Sequence, residues 1–283
     1  SDLQIGIVVV SRSQKIEFVI PARPESLIKL TELVENGDPR IDLVTQVVET
    51  DVSLFANTLA TINNPLFRLR SKVTSVNQAV RILGVQRILT IVRMAALRSS
   101  LGSSGRLDLF WEESTLTAMV AGQLTNHFQF MSRDDAYMLG MMSSCGVPLM
   151  FKECEGYKQF YEDHSLLDPA EARQKEVARF HIDHYRLSGE IARSWGMPEA
   201  IAKAIALQPH YQDVLDHENY DEQVRDHLAL LLLAREFSMQ FSSPNGLEES
   251  YQPVHVLEPM LEQLCLTRQD INSIQASVFN SLQ

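Results

Sequence analysis

The residues whose spacing could most readily do chemistry are His181 and His184, with Asp183 between them. Two imidazoles three positions apart face one side if they share a helix, and a carboxylate beside them suits a divalent metal. Asp183, however, is the residue type that caps a helix N-terminus, and a cap there puts the two histidines on different elements. The simpler reading has Asp183 as a cap and both histidines as polar surface or pocket residues. His127, His164, His217, His227 and His255 show no ligand spacing. Cys145 follows Ser143 and Ser144, but no motif places a base beside it, and on an apolar helix it reads as an inert thiol. No GxxxxGK[ST] or GxGxxG is present to cradle a phosphate. With only Cys145, Cys154 and Cys265 and no CxxC pair, neither a disulfide framework nor a zinc knuckle is expected. A reducing compartment follows.

The element that must hold Ser143, Ser144 and Cys145 is the run DDAYMLGMMSSCGVPLMF, residues 134–151. From Ala136 to Phe151 it carries no charge, and apolar side chains fall on every face of a helical spiral. Such a helix is buried at a domain centre or crosses a bilayer. The run is shorter than the ~20 residues a bilayer needs, and Pro148 interrupts it. A buried central helix is predicted over about 134–146, started by Ser132 with Asp135 and stopped at Gly146. Met138, Met141, Met142 and Met150 read as core filling.

Around this element the chain is helical. Residues 5–10 and 16–20 are β-branched runs that predict a short hairpin or extended arm, ended by Pro21 and Pro24. Helices follow at about 24–36, 40–49, 52–62, 74–83 and 85–99. A Ser/Gly-rich stretch at 99–108 is the best boundary. Beyond it, helices are predicted at about 109–129, 134–146, 149–162, 170–181, 184–195, 198–207, 222–241, 256–265 and 268–281. The expected organisation is an arm (1–20), an N-terminal helical subdomain (21–99), a second helical subdomain (108–215) and a C-terminal helical extension (216–283). The fold class is all-α, in two packed helical subdomains.

Net charge is −11, which argues against bulk nucleic-acid binding. Its distribution is uneven. Between Val52 and Leu107 there are eight basic residues (Arg68, Arg70, Lys72, Arg81, Arg87, Arg93, Arg98, Arg106) and no acidic one. That leaves 17 of the chain's 25 basic residues against all 36 acidic ones elsewhere. Arg87 and Arg98 share a helix face, with Arg81 on the preceding helix, and arginine forks suit phosphate. The plainer reading is that the segment pairs with the acidic remainder of its own chain. The N-terminus lacks a basic start and a cleavage site, and LALLLLA at 228–234 is too short to span, so a soluble, cytoplasmic protein without membrane association is expected.

The order PARPESLIKLTELV, IDLVTQVVETD, INNPLF and VTSVNQAVRILGVQRIL, then FWEESTLTAMVA (110–121), DDAYMLGMMSSCG (134–146) and WGMPEAIAKAI (195–205), resembles HDOD domains. The resemblance covers about residues 17–215. It implies an all-helical bacterial regulatory relative of HD-type and HD-GYP phosphohydrolases. It also implies a site by correspondence. Ser143 and Ser144 stand where the family's central helix would carry an adjacent His-Asp. Glu113 stands where a His often follows the tryptophan, and Arg235 follows Ala234 where an Asp is expected. His184 and His210 occupy later positions of the pattern. Serine hydroxyls are poor ligands at neutral pH and an arginine repels a cation, so a catalytic metal is not expected.

The expectation is therefore a non-catalytic bacterial signalling module that binds proteins or ligands and needs no cofactor. Its degenerate pocket would lie between the two subdomains, lined by Glu113, Ser143, Ser144 and His184. The resemblance implies signalling partners, including cyclic-nucleotide signalling enzymes, and the N-terminal arm offers a route to a homodimer. The alternative is a nucleotide- or RNA-phosphate binder using Arg81, Arg87 and Arg98 within the basic 68–106 segment. A surviving phosphohydrolase with improvised ligands, His181, Asp183, His184 and His210, is the third.

Overall fold

The computed structural model describes residues 8–10, 17–36, 40–63, 71–102, 107–242 and 257–282. Among these the fold is all-α apart from one antiparallel strand pair, β1 (Val8–Val10) and β2 (Glu17–Val19), with Val9 opposite Phe18. The chain divides into two compact units, Pro21–Leu107 in one and the strands with Asp108–Gln283 in the other.

The first unit contains α1 (Glu25–Glu35), α2 (Ile41–Glu49), α3 (Val52–Ile62), α4 (Val76–Leu83) and α5 (Val85–Leu101). Its centre is α5, whose Ile88, Ile91, Val92, Ala95, Ala96 and Leu97 are buried, largely against α1 and α3. Asp51 and Ser75 cap α3 and α4 by accepting the amides of Leu54 and Gln78. Asn63 ends α3 and straps it to the chain ahead of α4. Its amide donates to the Leu59 and Val73 carbonyls, and its side-chain oxygen accepts the Val73 N–H. Helix α5 runs two residues past the predicted end at 99, and residues 103–106 of the predicted linker lie outside the described ones.

The second unit contains α6 (Asp108–Leu124), α7 (Arg133–Met142), α8 (Val147–Glu153), α9 (Tyr157–His164), α10 (Pro169–Phe180), α11 (His184–Ser194) and α12 (Glu199–Ala206). A 3-10 turn at Gln208–His210 leads to α13 (Tyr211–Asp216), α14 (Glu222–Ser242), α15 (Leu257–Gln263) and α16 (Arg268–Leu282). Every residue from Ala136 to Met142 of α7 is buried, as its unbroken apolarity requires. The close packing of α7 on α6 depends on Gly140, because a Cβ there would stand 2.6 Å from Ala118 Cα. Helix α14 packs on α6, α7 and α12 through Leu228, Leu231, Leu232 and their neighbours. Each fully buried leucine is worth roughly 1.5–3 kcal/mol.

Two predicted helices end differently. The central helix stops at Met142, and residues 143–146 form a turn rather than a last helical turn. Gly146 lies so close to α11 that a Cβ would sit 2.4 Å from the His184 carbonyl oxygen, and its N–H donates to Ser188 Oγ at 2.9 Å. That contact fixes the turn from outside the local sequence. Pro148 then opens α8, where its missing N–H is not needed. The single helix predicted over 149–162 is two, α8 and α9, divided at Gly156 with φ +76°.

Candidate functional site

Glu113, Ser143, Ser144 and Arg235 converge on one cavity of ≈ 190 Å³. Helix α6 supplies Glu113 and Thr117 one turn apart, the turn after α7 supplies Ser143 and Ser144, and α9 supplies Tyr161. Helix α14 supplies Arg235, Ser238, Met239 and Ser242, whose i, i+3, i+4, i+7 spacing lays them along one face. All the lining residues fall between 113 and 242. This corrects the expected location: the cavity is built within the second unit, not between two subdomains.

Behind Arg235, Ser144 and Tyr161 lies a smaller recess of ≈ 50 Å³ that also touches Glu176, His184 and Tyr185. Here the second unit holds a buried ionisable network. Glu176 Oε1 is 2.7 Å from His184 Nδ1 and accepts the Tyr157 hydroxyl at 2.5 Å; its Oε2 accepts the His184 backbone N–H at 3.0 Å. An ionised carboxylate only accepts, so Nδ1 of His184 carries the proton and donates. Burial alone pushes the Glu176 pKa up, but the charge and hydrogen bonds of His184 and the Tyr157 hydroxyl together outweigh it and hold it below the ordinary value. The His184 carbonyl accepts the Ser188 hydroxyl at 2.7 Å, and Ser188 Oγ accepts the Gly146 N–H. The network thereby locks the turn that presents Ser143 and Ser144. Gln208 adds a second tie, donating to the Ser143 carbonyl at 3.0 Å.

Arg235 is anchored as well. Its Nη2 donates to the carbonyls of Ser165 and Leu167 at 3.0 and 2.9 Å, whereas its Nη1 is buried and meets no acceptor. Glu113 is accessible at the cavity wall, yet enough protein crowds its carboxylate that burial raises its pKa. A long 3.5 Å bond from the Tyr161 hydroxyl and the more distant Arg235 charge only partly oppose the rise.

These residues do not fit the metal of an HD phosphohydrolase. That chemistry needs imidazoles and carboxylates converging on one point. Ser143 spends its proton on the Gly140 carbonyl, a guanidinium stands in the wall, and of the two imidazoles at the recess His184 already donates to Glu176 while His164 Nδ1 lies 2.7 Å from the Phe160 carbonyl. Among the described residues no three His, Cys, Asp or Glu side chains are grouped to hold a metal ion.

The remaining candidates disperse. His181 ends α10 in the left-handed region (φ 61°) and is exposed, while Asp183 caps α11 through the Arg186 N–H and pairs with Arg173 at 3.4 Å. The cap separates the two histidines. His210 is exposed at the end of the 3-10 turn and lines neither the cavity nor the recess. Arg81 is exposed and donates to Asn77 Oδ1, Arg87 and Arg98 sit half-buried on α5, and Arg98 is already engaged. All three belong to the unit without the cavity. Arg68, Arg70 and Arg106 lie outside the described residues. Burial pushes the Cys145 thiol far up and that of Cys154 up to about 11, which makes both inert.

Sequence reasoning missed Glu176 and Tyr157. The signal was present: Ala172, Glu176 and Phe180 recur every four residues on α10, so Glu176 is a charge on the buried stripe.

The HDOD domain family matches residues 20–211. Among solved structures, an HDOD domain protein of unknown function from Geobacter sulfurreducens is 20% identical, with a TM-score of 0.66 and 92% of each chain covered. A candidate phosphohydrolase from Shewanella amazonensis SB2B is 17% identical, with a TM-score of 0.64 over 93% of this chain and 95% of that one. A candidate metal-dependent phosphohydrolase from the same organism is 15% identical with a TM-score of 0.53, covering 94% and 93%. At these identities the likeness is one of fold. Among curated proteins none matches this sequence. With the family match spanning well over half of its length, from the end of β2 through the 3-10 turn that follows α12, this chain belongs to the HDOD domain family.

Proposed function

We propose that the chain is a non-catalytic regulatory module that works by binding, its HD-type metal chemistry lost. The observation that carries this reading is Arg235, a guanidinium in the wall of the cavity beside Ser143 and Ser144, where a hydrolase of this fold would need anionic or imidazole donors. His184 and Glu176 support it, since each already serves the other inside the protein. Partners of the kind the resemblance implies, signalling proteins of sensory or cyclic-nucleotide networks, would read the state of this unit.

The test is metal content by inductively coupled plasma mass spectrometry. Protein purified without chelator is reloaded with manganese, iron or zinc and desalted. The expected result is below about a tenth of an equivalent of any of them, because the site lacks the ligand set that holds metal through dilution. Retention of about one or two equivalents, the stoichiometry of metal-dependent hydrolases, would overturn the reading, and loss of that metal in His184→Ala would locate it.

A further inference from the structure

The cavity wall has a polarity that the hydroxyl count conceals. A hydroxyl has one proton to donate. Thr117 gives it to the Glu113 carbonyl at 3.0 Å, Ser143 to Gly140 at 2.8 Å, Ser238 to Ala234 at 2.6 Å and Ser242 to Ser238 at 3.0 Å. What these four groups have left for the cavity is lone pairs, whereas the hydroxyls of Ser114, Ser144 and Ser165 on the same wall can still donate. The Glu113 carboxylate adds more acceptor capacity on the same α6 wall as Thr117. Against this stands one cation, Arg235, which lines the cavity with its Nη2 held by the Ser165 and Leu167 carbonyls and its Nη1 buried without an acceptor.

Glu113 and Arg235 line the same cavity without forming an ion pair, and the Arg235 charge acts on Glu113 only from a distance. An anion alone would satisfy the guanidinium but would face the Glu113 carboxylate. A cation alone would satisfy Glu113 but would face Arg235. Only an occupant with both charges, joined by a short linkage, matches both ends. The volume, ≈ 190 Å³, is below the ~300–1,000 Å³ of pockets for drug-sized ligands. Leu116, Leu166 and Met239 supply an apolar stretch of wall.

We propose that this cavity binds a free α-amino acid, Arg235 taking its carboxylate, Glu113 and the neighbouring hydroxyl oxygens its ammonium, and the apolar wall its side chain. The assignment rests on the regulatory reading above, because a metal held there would claim the same space. It makes the unit a sensor of a small zwitterionic metabolite rather than a vestige.

The experiment uses the full chain, with metal content measured on the same sample. The twenty standard L-α-amino acids are screened one at a time by thermal shift, and those that respond are titrated calorimetrically. Beside each run its deaminated acid, its decarboxylated amine and inorganic phosphate. The expected result is saturable binding of at least one amino acid, with both analogues and phosphate weaker by about tenfold or more. Glu113→Gln should weaken binding about tenfold through loss of one charged contact, with the fold retained because the amide oxygen can still accept the Tyr161 hydroxyl. Arg235→Met also removes the ties to Ser165 and Leu167, so Ser144→Leu, which fills the cavity, serves as the second variant. Absence of binding by every amino acid in metal-free protein would overturn the zwitterion assignment and leave the regulatory reading standing. Equal binding of phosphate or a deaminated acid, unaffected by Glu113→Gln, would reduce the cavity to a plain anion site and also overturn it. Bound metal would instead defeat the regulatory reading.

Discussion

Glu176 shows at the residue scale how a charge survives in a core. Its side chain is 2% exposed, yet three hydrogen bonds from Tyr157 and His184 satisfy it. Removing one partner of such a pair leaves an uncompensated buried group, so Glu176→Ala should cost about 3–5 kcal/mol, measured by chemical denaturation at neutral pH. The pH dependence has a definite sign. The folded-state pKa of Glu176 lies below its ordinary value of 4.5. Its stabilisation is therefore present above pH 4.5 and lost as pH falls through the lower, folded-state pKa. Melting temperatures of the native chain should decline over that acid window, and Glu176→Gln should show a shallower decline. Whether a residue belonged to the site was only half legible beforehand. Glu113 and Arg235 could be placed by correspondence with a family pattern, because their neighbours in sequence keep that pattern. Glu176 could not, since its role comes from His184 eight residues later across a helix boundary. His210, placed at a later position of the same pattern, lines neither cavity nor recess, because a position in a pattern carries no information on which way a 3-10 turn points its side chain.

At the scale of elements, the cavity exists because α6, α7 and α14 approach one another closely. Gly140 sets the first of these approaches. An added Cβ would meet the backbone of Ala118 and Thr117 at 2.6–2.8 Å, and backbone cannot swing aside as a flexible side chain can. Gly140→Ala should therefore force α7 away from α6 and destabilise the chain by about 1–3 kcal/mol, read as a lowered midpoint in urea at unchanged slope. The helices themselves were legible where apolar periodicity and caps agreed. Ser132 and Asp183 each start the helix they were expected to start, and α3, capped by Asp51, spans 52–62 as predicted. The ends were less so. Helix α7 stops four residues early because Gly146 is drawn against His184 and Ser188 of α11, a long-range contact with no local signature. Helix α6 ends at Leu124, five residues before its predicted end at 129.

The molecule as a whole consists of two helical units, each with its own buried core, and no helix among the described residues is long and apolar enough to cross a membrane. The Ser/Gly-rich stretch marked a boundary by composition. Where the strands and the last helices would group was not legible, because that depends on which exposed apolar faces meet. One consequence concerns light. The chain has two tryptophans, Trp111 on α6 and Trp195 at the end of α11, both buried and both in the unit that begins at Asp108. Residues 21–107 contain none, so intrinsic emission reports one unit and is blind to the other, whereas far-ultraviolet dichroism sees the helices of both. Coincident urea curves from the two signals would mean that the units unfold together. Curves that separate would mean that each unit melts on its own core, so the tryptophans give the protein an internal optical label for one unit without any added dye.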